Sequence, residues 1–157
     1  MNTNSNTYTI IYSAIIVVVV AFLLAFVSTS LKEKQEANVQ LDQKKQILNS
    51  LNLRDLDDNA AEAKYKEVVK DDGEVDGNRI LTCEVDGKKK YVIPLKGMGL
   101  WGPIYGYLAI DDDKNTVFGA YFNHDSETAG LGAEIKDSRE WQEKFRGKKI
   151  FSQGSDD

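Results

Sequence analysis

Two short segments carry the residue types that could do chemistry. The first is Gly97-Met98-Gly99-Leu100-Trp101-Gly102-Pro103-Ile104-Tyr105-Gly106. Glycine lets backbone come close to a ligand and adopt angles closed to other residues, and Trp101 offers a flat apolar wall. A glycine-rich turn with Trp101 plugging a core explains the same residues, and both readings stand on composition. The segment lacks the strand–helix setting of the G-x-G-x-x-G dinucleotide fingerprint. The second segment is His124-Asp125-Ser126-Glu127-Thr128-Ala129-Gly130-Leu131-Gly132-Ala133-Glu134. It falls between a strand-like and a helix-like run, and such a loop with two glycines and polar side chains is a common place for a ligand.

Several other chemistries are weaker. His124 is the only histidine, so no histidine metal cluster can form. A triad using Ser126 is geometrically poor, because neighbouring loop residues rarely align base and nucleophile. Glu127 and Glu134 as paired carboxylates for glycoside hydrolysis lack a groove to serve. Asp111-Asp112-Asp113 lacks the spaced oxygen ligands, turn glycine and bidentate acid of a calcium loop, and reads as a solvated turn. The single cysteine, Cys83, rules out an internal disulfide. It lies in a strand-like run and reads as a packed side chain.

The elements that must position these loops follow from pattern. No Lys, Arg, Asp or Glu precedes Lys32, so all 20 basic and 25 acidic residues lie from there onward and give the net charge of −5. An acidic domain repels phosphate backbones, so no nucleic-acid partner is expected. Tyr8–Val27 has no charge and is long enough, at about 1.5 Å per residue, to cross a bilayer core of about 30 Å. A cleaved leader would have a basic start and a shorter apolar run. The reading is a tail over 1–7, a transmembrane helix over 8–30 and an amphipathic stalk helix over 31–51, with Leu41, Ile47, Leu48 and Leu51 on one side. Lys32 and Lys34 taken alone favour a cytoplasmic domain.

Residues 52–157 read as an α+β domain. Asn52–Asp58 breaks the stalk, Asn59–Lys70 is helical, and Asp71-Asp72-Gly73 is expected to end that helix as a turn. Two hairpins follow: Ile80–Val85 with Tyr91–Pro94 across an Asp86-Gly87 turn, then Tyr105–Ile110 with Thr116–Asn123. A helix over Ser138–Arg146 is expected to place Trp141 and Phe145 on one face, with Gly147 as its C-terminal cap.

Gly99-Leu100-Trp101-Gly102-Pro103-Ile104-Tyr105-Gly106 and His124-x-x-Glu127-Thr128-x-Gly130-Leu131-Gly132 together resemble the C subunit of the bacterial Na+-translocating NADH:quinone oxidoreductase. The related G subunit of the ferredoxin:NAD electron-transport complex is similar. Trp141, Phe145 and Gly147-Lys148 fit the helix and turn that follow there, and Asp42-x-Lys44-Lys45-x-Ile47-Leu48 fits the stalk. The resemblance implies an antiparallel-sheet, FMN-binding-type domain with flanking helices behind a transmembrane helix. It implies FMN held covalently through a threonine and passing electrons between redox centres of a respiratory complex. It further implies other membrane and flavin subunits, membrane lipid and a flavin transferase as partners. The location would be the bacterial inner membrane, single-pass, with the domain on the periplasmic or outer face, against the charge count. Leu100, Trp101, Gly102, Glu127, Thr128, Gly130, Leu131 and Gly132 are the expected cofactor-binding residues, with ring-facing N–H groups near Gly130–Gly132. The family's Ser/Thr-Gly-Ala/Ser-Thr attachment tetrapeptide does not occur in this chain. It therefore reads as incomplete at its C-terminus and, alone, inactive, and a non-redox, membrane-tethered assembly or scaffold module is the competing function.

Overall fold

A computed structural model describes residues 6–151. Helix α1 (Asn6–Ser50) is continuous, so the expected anchor and stalk form one element. The chain divides into two compact units, the first ending at Gln40 and the second starting at Leu41.

In the first unit α1 is long and apolar enough to cross a membrane, and its apolar side chains are exposed. That pattern suits lipid, which cannot hydrogen-bond a backbone but does solvate apolar groups. Tyr8 and Tyr12 stack with ring centroids 6.1 Å apart. Thr29 and Ser30 donate their hydroxyls to the carbonyls of Ala25 and Phe26 at 2.8 and 2.9 Å. The helix thereby satisfies its own polar side chains where the apolar run ends.

In the second unit the last turns of α1 bury Ile47, Leu48 and Ser50. The helix stops where Asn52 and Asp55 adopt φ of 61° and 60°, left-handed angles that Asn and Asp tolerate better than most residues. Helix α2 (Asp58–Val68) starts at Asp57, whose carboxylate accepts the Ala60 N–H at 2.8 Å. Five strands follow as a meander in the order β1-β2-β3-β4-β5, all antiparallel: β1 (Val69–Val75), β2 (Asn78–Val85), β3 (Lys88–Met98), β4 (Pro103–Asp111) and β5 (Val117–His124). Short helices α3 (Glu134–Asp137) and α4 (Arg139–Glu143) close the described chain.

The expected turn at Asp71-Asp72-Gly73 is overturned: these residues lie inside β1, paired with Thr82, Leu81 and Ile80. The acidic pair is tolerated because β1 is an edge strand, where charge also deters pairing with other chains. Arg79 grips Asp72 through two nitrogens at 2.7 and 2.5 Å. The actual turn is Asp76-Gly77, with φ of 50° and 80°, and it repeats the Asp86-Gly87 turn at 51° and 71°. Both are two-residue hairpins whose positive φ angles match the twist of the flanking strands. α4 is shorter than the expected helix, and Gly147, at φ 77°, closes the following turn by donating to the Val117 carbonyl at 2.8 Å.

Leu81, Cys83, Val92, Tyr107 and Ala109 on one sheet face pack with Ile47, Leu48, Leu51, Ala61 and Val68 into the core. Each fully buried aliphatic side chain contributes about 1.5–3 kcal/mol relative to exposure. This face holds β3 and β4 in register as far as the Met98–Pro103 pair, and so fixes where the glycine-rich turn stands.

Candidate functional site

The β3–β4 hairpin ends in a tight turn. Gly99 donates its N–H to the Gly102 carbonyl at 2.8 Å, leaving Leu100 and Trp101 at the tip. Asp125, just past β5, donates its N–H to the Pro103 carbonyl at 3.2 Å, so the second loop starts beside the first. Two segments well separated in sequence are thus neighbours because β4 and β5 pair from Ile104–His124 onward.

Glu127 joins them. Its Oε1 accepts the Trp101 N–H at 3.0 Å, and its own N–H donates to His124 Nδ1 at 3.2 Å. A Cβ added at Gly99 would collide with the Glu127 carboxylate, as would one at Gly132. A Cβ at Gly102 would lie 3.0 Å from Ser126 Cβ. These three glycines therefore serve to let the two loops close on the Glu127 and Ser126 side chains. Of the glycines in this region, only Gly130 uses a positive φ, at 74°.

Beyond the clamp, the Thr128 carbonyl accepts the N–H groups of Leu131 and Ala133, both at 3.1 Å. The Leu131 N–H, one of those expected to face a ring, is therefore engaged within the loop. The apolar side chains point outward: Leu100 is 83%, Trp101 67% and Leu131 74% exposed. Trp101 is not a core plug. Behind the loops, Phe122 packs against Trp141 and Phe145 at centroid distances of 5.6 and 5.3 Å, and Trp141 meets Phe145 at 5.1 Å. The sequence pattern for the latter pair is confirmed, with Phe122 as its support.

All eight expected cofactor-binding residues lie on these two adjoining loops. Gly99 is not among the eight although it packs on Glu127, and its spacing to Gly102 in a turn is the signal available for it. Glu134 is exposed on α3, and the Glu127 carboxylate accepts a backbone N–H at the clamp. Asp113 accepts the Asn115 and Thr116 N–H groups at 2.9 and 2.8 Å, the Thr116 hydroxyl and the Lys149 ammonium at 3.2 Å. These donors hold its carboxyl well below the usual range, the Thr116 hydroxyl foremost. The aspartate triplet is a hydrogen-bonded turn, and no cluster of three metal-ligating side chains occurs among the described residues. Cys83 is buried in the core, and desolvation pushes its thiol up to about 12, so it is inert as a nucleophile.

A planar flavin ring requires apolar walls and a few placed donors. Leu100, Trp101 and Leu131 supply exposed apolar surface on both sides of the Glu127 clamp, so the ring-facing half of such a site fits the residues present.

The FMN-binding domain family matches residues 99–156, which include both loops. The C subunit of the Na(+)-translocating NADH-quinone reductase of Chlamydia muridarum is 55% identical over 60 residues, 38% of this chain and 19% of that protein. Its counterpart in Neisseria meningitidis serogroup A is 40% identical over 106 residues, 65% of this chain and 36% of that protein. The matched stretch thus spans well under half the length of these curated relatives. The crystal structure of the corresponding C subunit from Parabacteroides distasonis superposes with a TM-score of 0.71 at 38% identity, covering 77% of this chain and 71% of that one.

Proposed function

Because this chain belongs to the family of the C subunits of Na(+)-translocating NADH-quinone reductases, we propose that it is a membrane-anchored FMN electron-transfer subunit of such a complex. FMN, when bound, supplies the one-electron steps between neighbouring redox centres. The chain's own part is to hold the ring and exclude water from one of its faces. The observation that carries the reading is Glu127 tying the Trp101 backbone to the loop at Gly132. This fixes Leu100 and Trp101 relative to Leu131, a pre-organised apolar surface that costs little further ordering when covered. Thr128, Gly130 and Gly132 set the loop's path, and Gly102 allows close approach to Ser126.

The proposed setting is the bacterial inner membrane, with the domain on the outer face and with membrane and flavin subunits as neighbours. No Ser/Thr-Gly-Ala/Ser-Thr tetrapeptide occurs in these 157 residues. One observation favours a scaffold instead: the Glu127 side chain packs directly against the Gly99 and Gly132 backbones, so protein atoms fill that space. An FMN titration of the chain in uncharged detergent micelles separates the two. The redox reading expects saturable quenching of flavin fluorescence that is lost in Trp101→Ala. Absence of saturable quenching supports the scaffold.

A further inference from the structure

A second site lies away from the two loops, where the segment after α1 meets α3 and α4. A cavity of about 240 Å³ is lined by Lys45, Arg54, Lys136 and Arg139, with Asp55 and Asp137 also on its wall. Four cations against two acids leave the lining two charges positive. Lys45 is paired with Asp58 at 2.6 Å, and Arg139 with Glu143 at 2.8 Å and Asp55 at 3.6 Å. Among the described residues, Arg54 and Lys136 have no carboxylate partner.

Arg54 is held in place by its surroundings. Its Nη2 donates to the Ala120 carbonyl at 3.2 Å, and its guanidinium lies over the Tyr121 ring at 6.0 Å. Its Nε is buried and has no acceptor. A buried donor left unpaired is costly, and most such groups in folded proteins find a partner. The cost is compounded by a like charge: burial first, then the Arg139 guanidinium, pushes Arg54 below its ordinary range, against weaker opposing effects of Glu143, Tyr121 and Asp55. An anion in the cavity would offset the repulsion between the two guanidinium groups.

We propose that this cavity binds a phosphate-type oxyanion between the Arg54 guanidinium and the Lys136 ammonium, with Arg139 completing the cationic wall. One Arg54 nitrogen is already committed to the Ala120 carbonyl, which disfavours planar two-point capture of a carboxylate. A tetrahedral oxyanion accepts from donors that converge from different directions. The site is independent of the flavin reading, since none of its residues lies on the two loops at Glu127.

The test is a titration of the full chain in uncharged detergent, reading the side-chain Nε–H resonance of Arg54 by NMR at constant ionic strength. Inorganic phosphate and glycerol phosphate are the two probes, and sodium acetate is the comparison. Saturable shifts with either phosphate are expected, and the tighter of the two identifies whether a free phosphate or a phosphomonoester is the source. Lys136→Ala, at an exposed position, should fold normally and weaken binding about tenfold, as expected for loss of a charge-assisted hydrogen bond. Lys88→Ala, at the distant hairpin turn, should change nothing. A response that never saturates, an equal response to acetate, or unchanged affinity in Lys136→Ala would each overturn the assignment.

Discussion

Replacing Glu127 by alanine should unfasten the Trp101 turn without unfolding the domain. The Glu127 carboxylate accepts the Trp101 N–H at 3.0 Å and is partly exposed. A hydrogen bond to a charged group contributes about 1.5–3 kcal/mol, and discounting for solvent leaves about 1–2 kcal/mol for this contact. That corresponds to about a 5–30-fold rise in the open population of the turn. Native-state hydrogen exchange of the Trp101 amide reads this directly, while amides of core residues such as Leu81 and Val92 should exchange unchanged. Glu127→Gln keeps an acceptor and should show a smaller rise. Gly132→Ala places a Cβ against the same carboxylate, so combined with Glu127→Ala it should cost less than the sum of the two single changes. Unchanged Trp101 exchange in Glu127→Ala, or strict additivity in the pair, would refute the view that Glu127 joins the loops.

Other expectations follow from the same geometry. Lys90 is buried, paired with Asp111 and placed 4.4 Å from the Phe118 ring centroid, so Lys90→Ala should cost about 3 kcal/mol in urea unfolding, and Lys90→Met distinctly less. Leu48→Ala should cost about 2–5 kcal/mol by the same measurement, because that side chain is fully enclosed in the core. The Arg79 hydrogen bonds hold the Asp72 carboxyl below its ordinary range. Its stabilisation is therefore complete above the unfolded carboxylate range and lost as pH falls through the lower folded value, and Asp72→Asn should flatten the acid limb of a stability–pH profile. Cys83 should resist thiol reagents in the folded protein at about pH 8, so a Lys88→Cys variant can be labelled selectively. Labelling of spheroplasts by a membrane-impermeant maleimide is expected for a domain on the outer face, and protection would place it in the cytoplasm.

The anchor, the stalk and four of the five strands are legible in the sequence because each has a local cause. An uncharged run of bilayer length, a leucine-bearing helical side and an Asp-Gly turn act within a few residues. Strand β1 is not legible in the same way, because Asp71-Asp72-Gly73 has turn chemistry locally and is extended only through its pairing with β2 and the grip of Arg79 on Asp72. The repeat of Glu-Val-Asp-Gly at residues 74–77 and 84–87 is the signal that the first hairpin has a twin. For the site, composition marks both loops and most of their residues. What Gly99, Gly102 and Gly132 are for is decided only in three dimensions. β4–β5 register brings the loops together, and the clash a Cβ would make with Glu127 or Ser126 depends on a neighbour distant in sequence. The same holds for the Arg54 cavity, whose walls come from separate stretches of chain with no common motif. Periodicity and turn chemistry are local and can be read from sequence, whereas which side chain fills the space beside a glycine, or leaves a buried donor unpaired, is set by long-range packing.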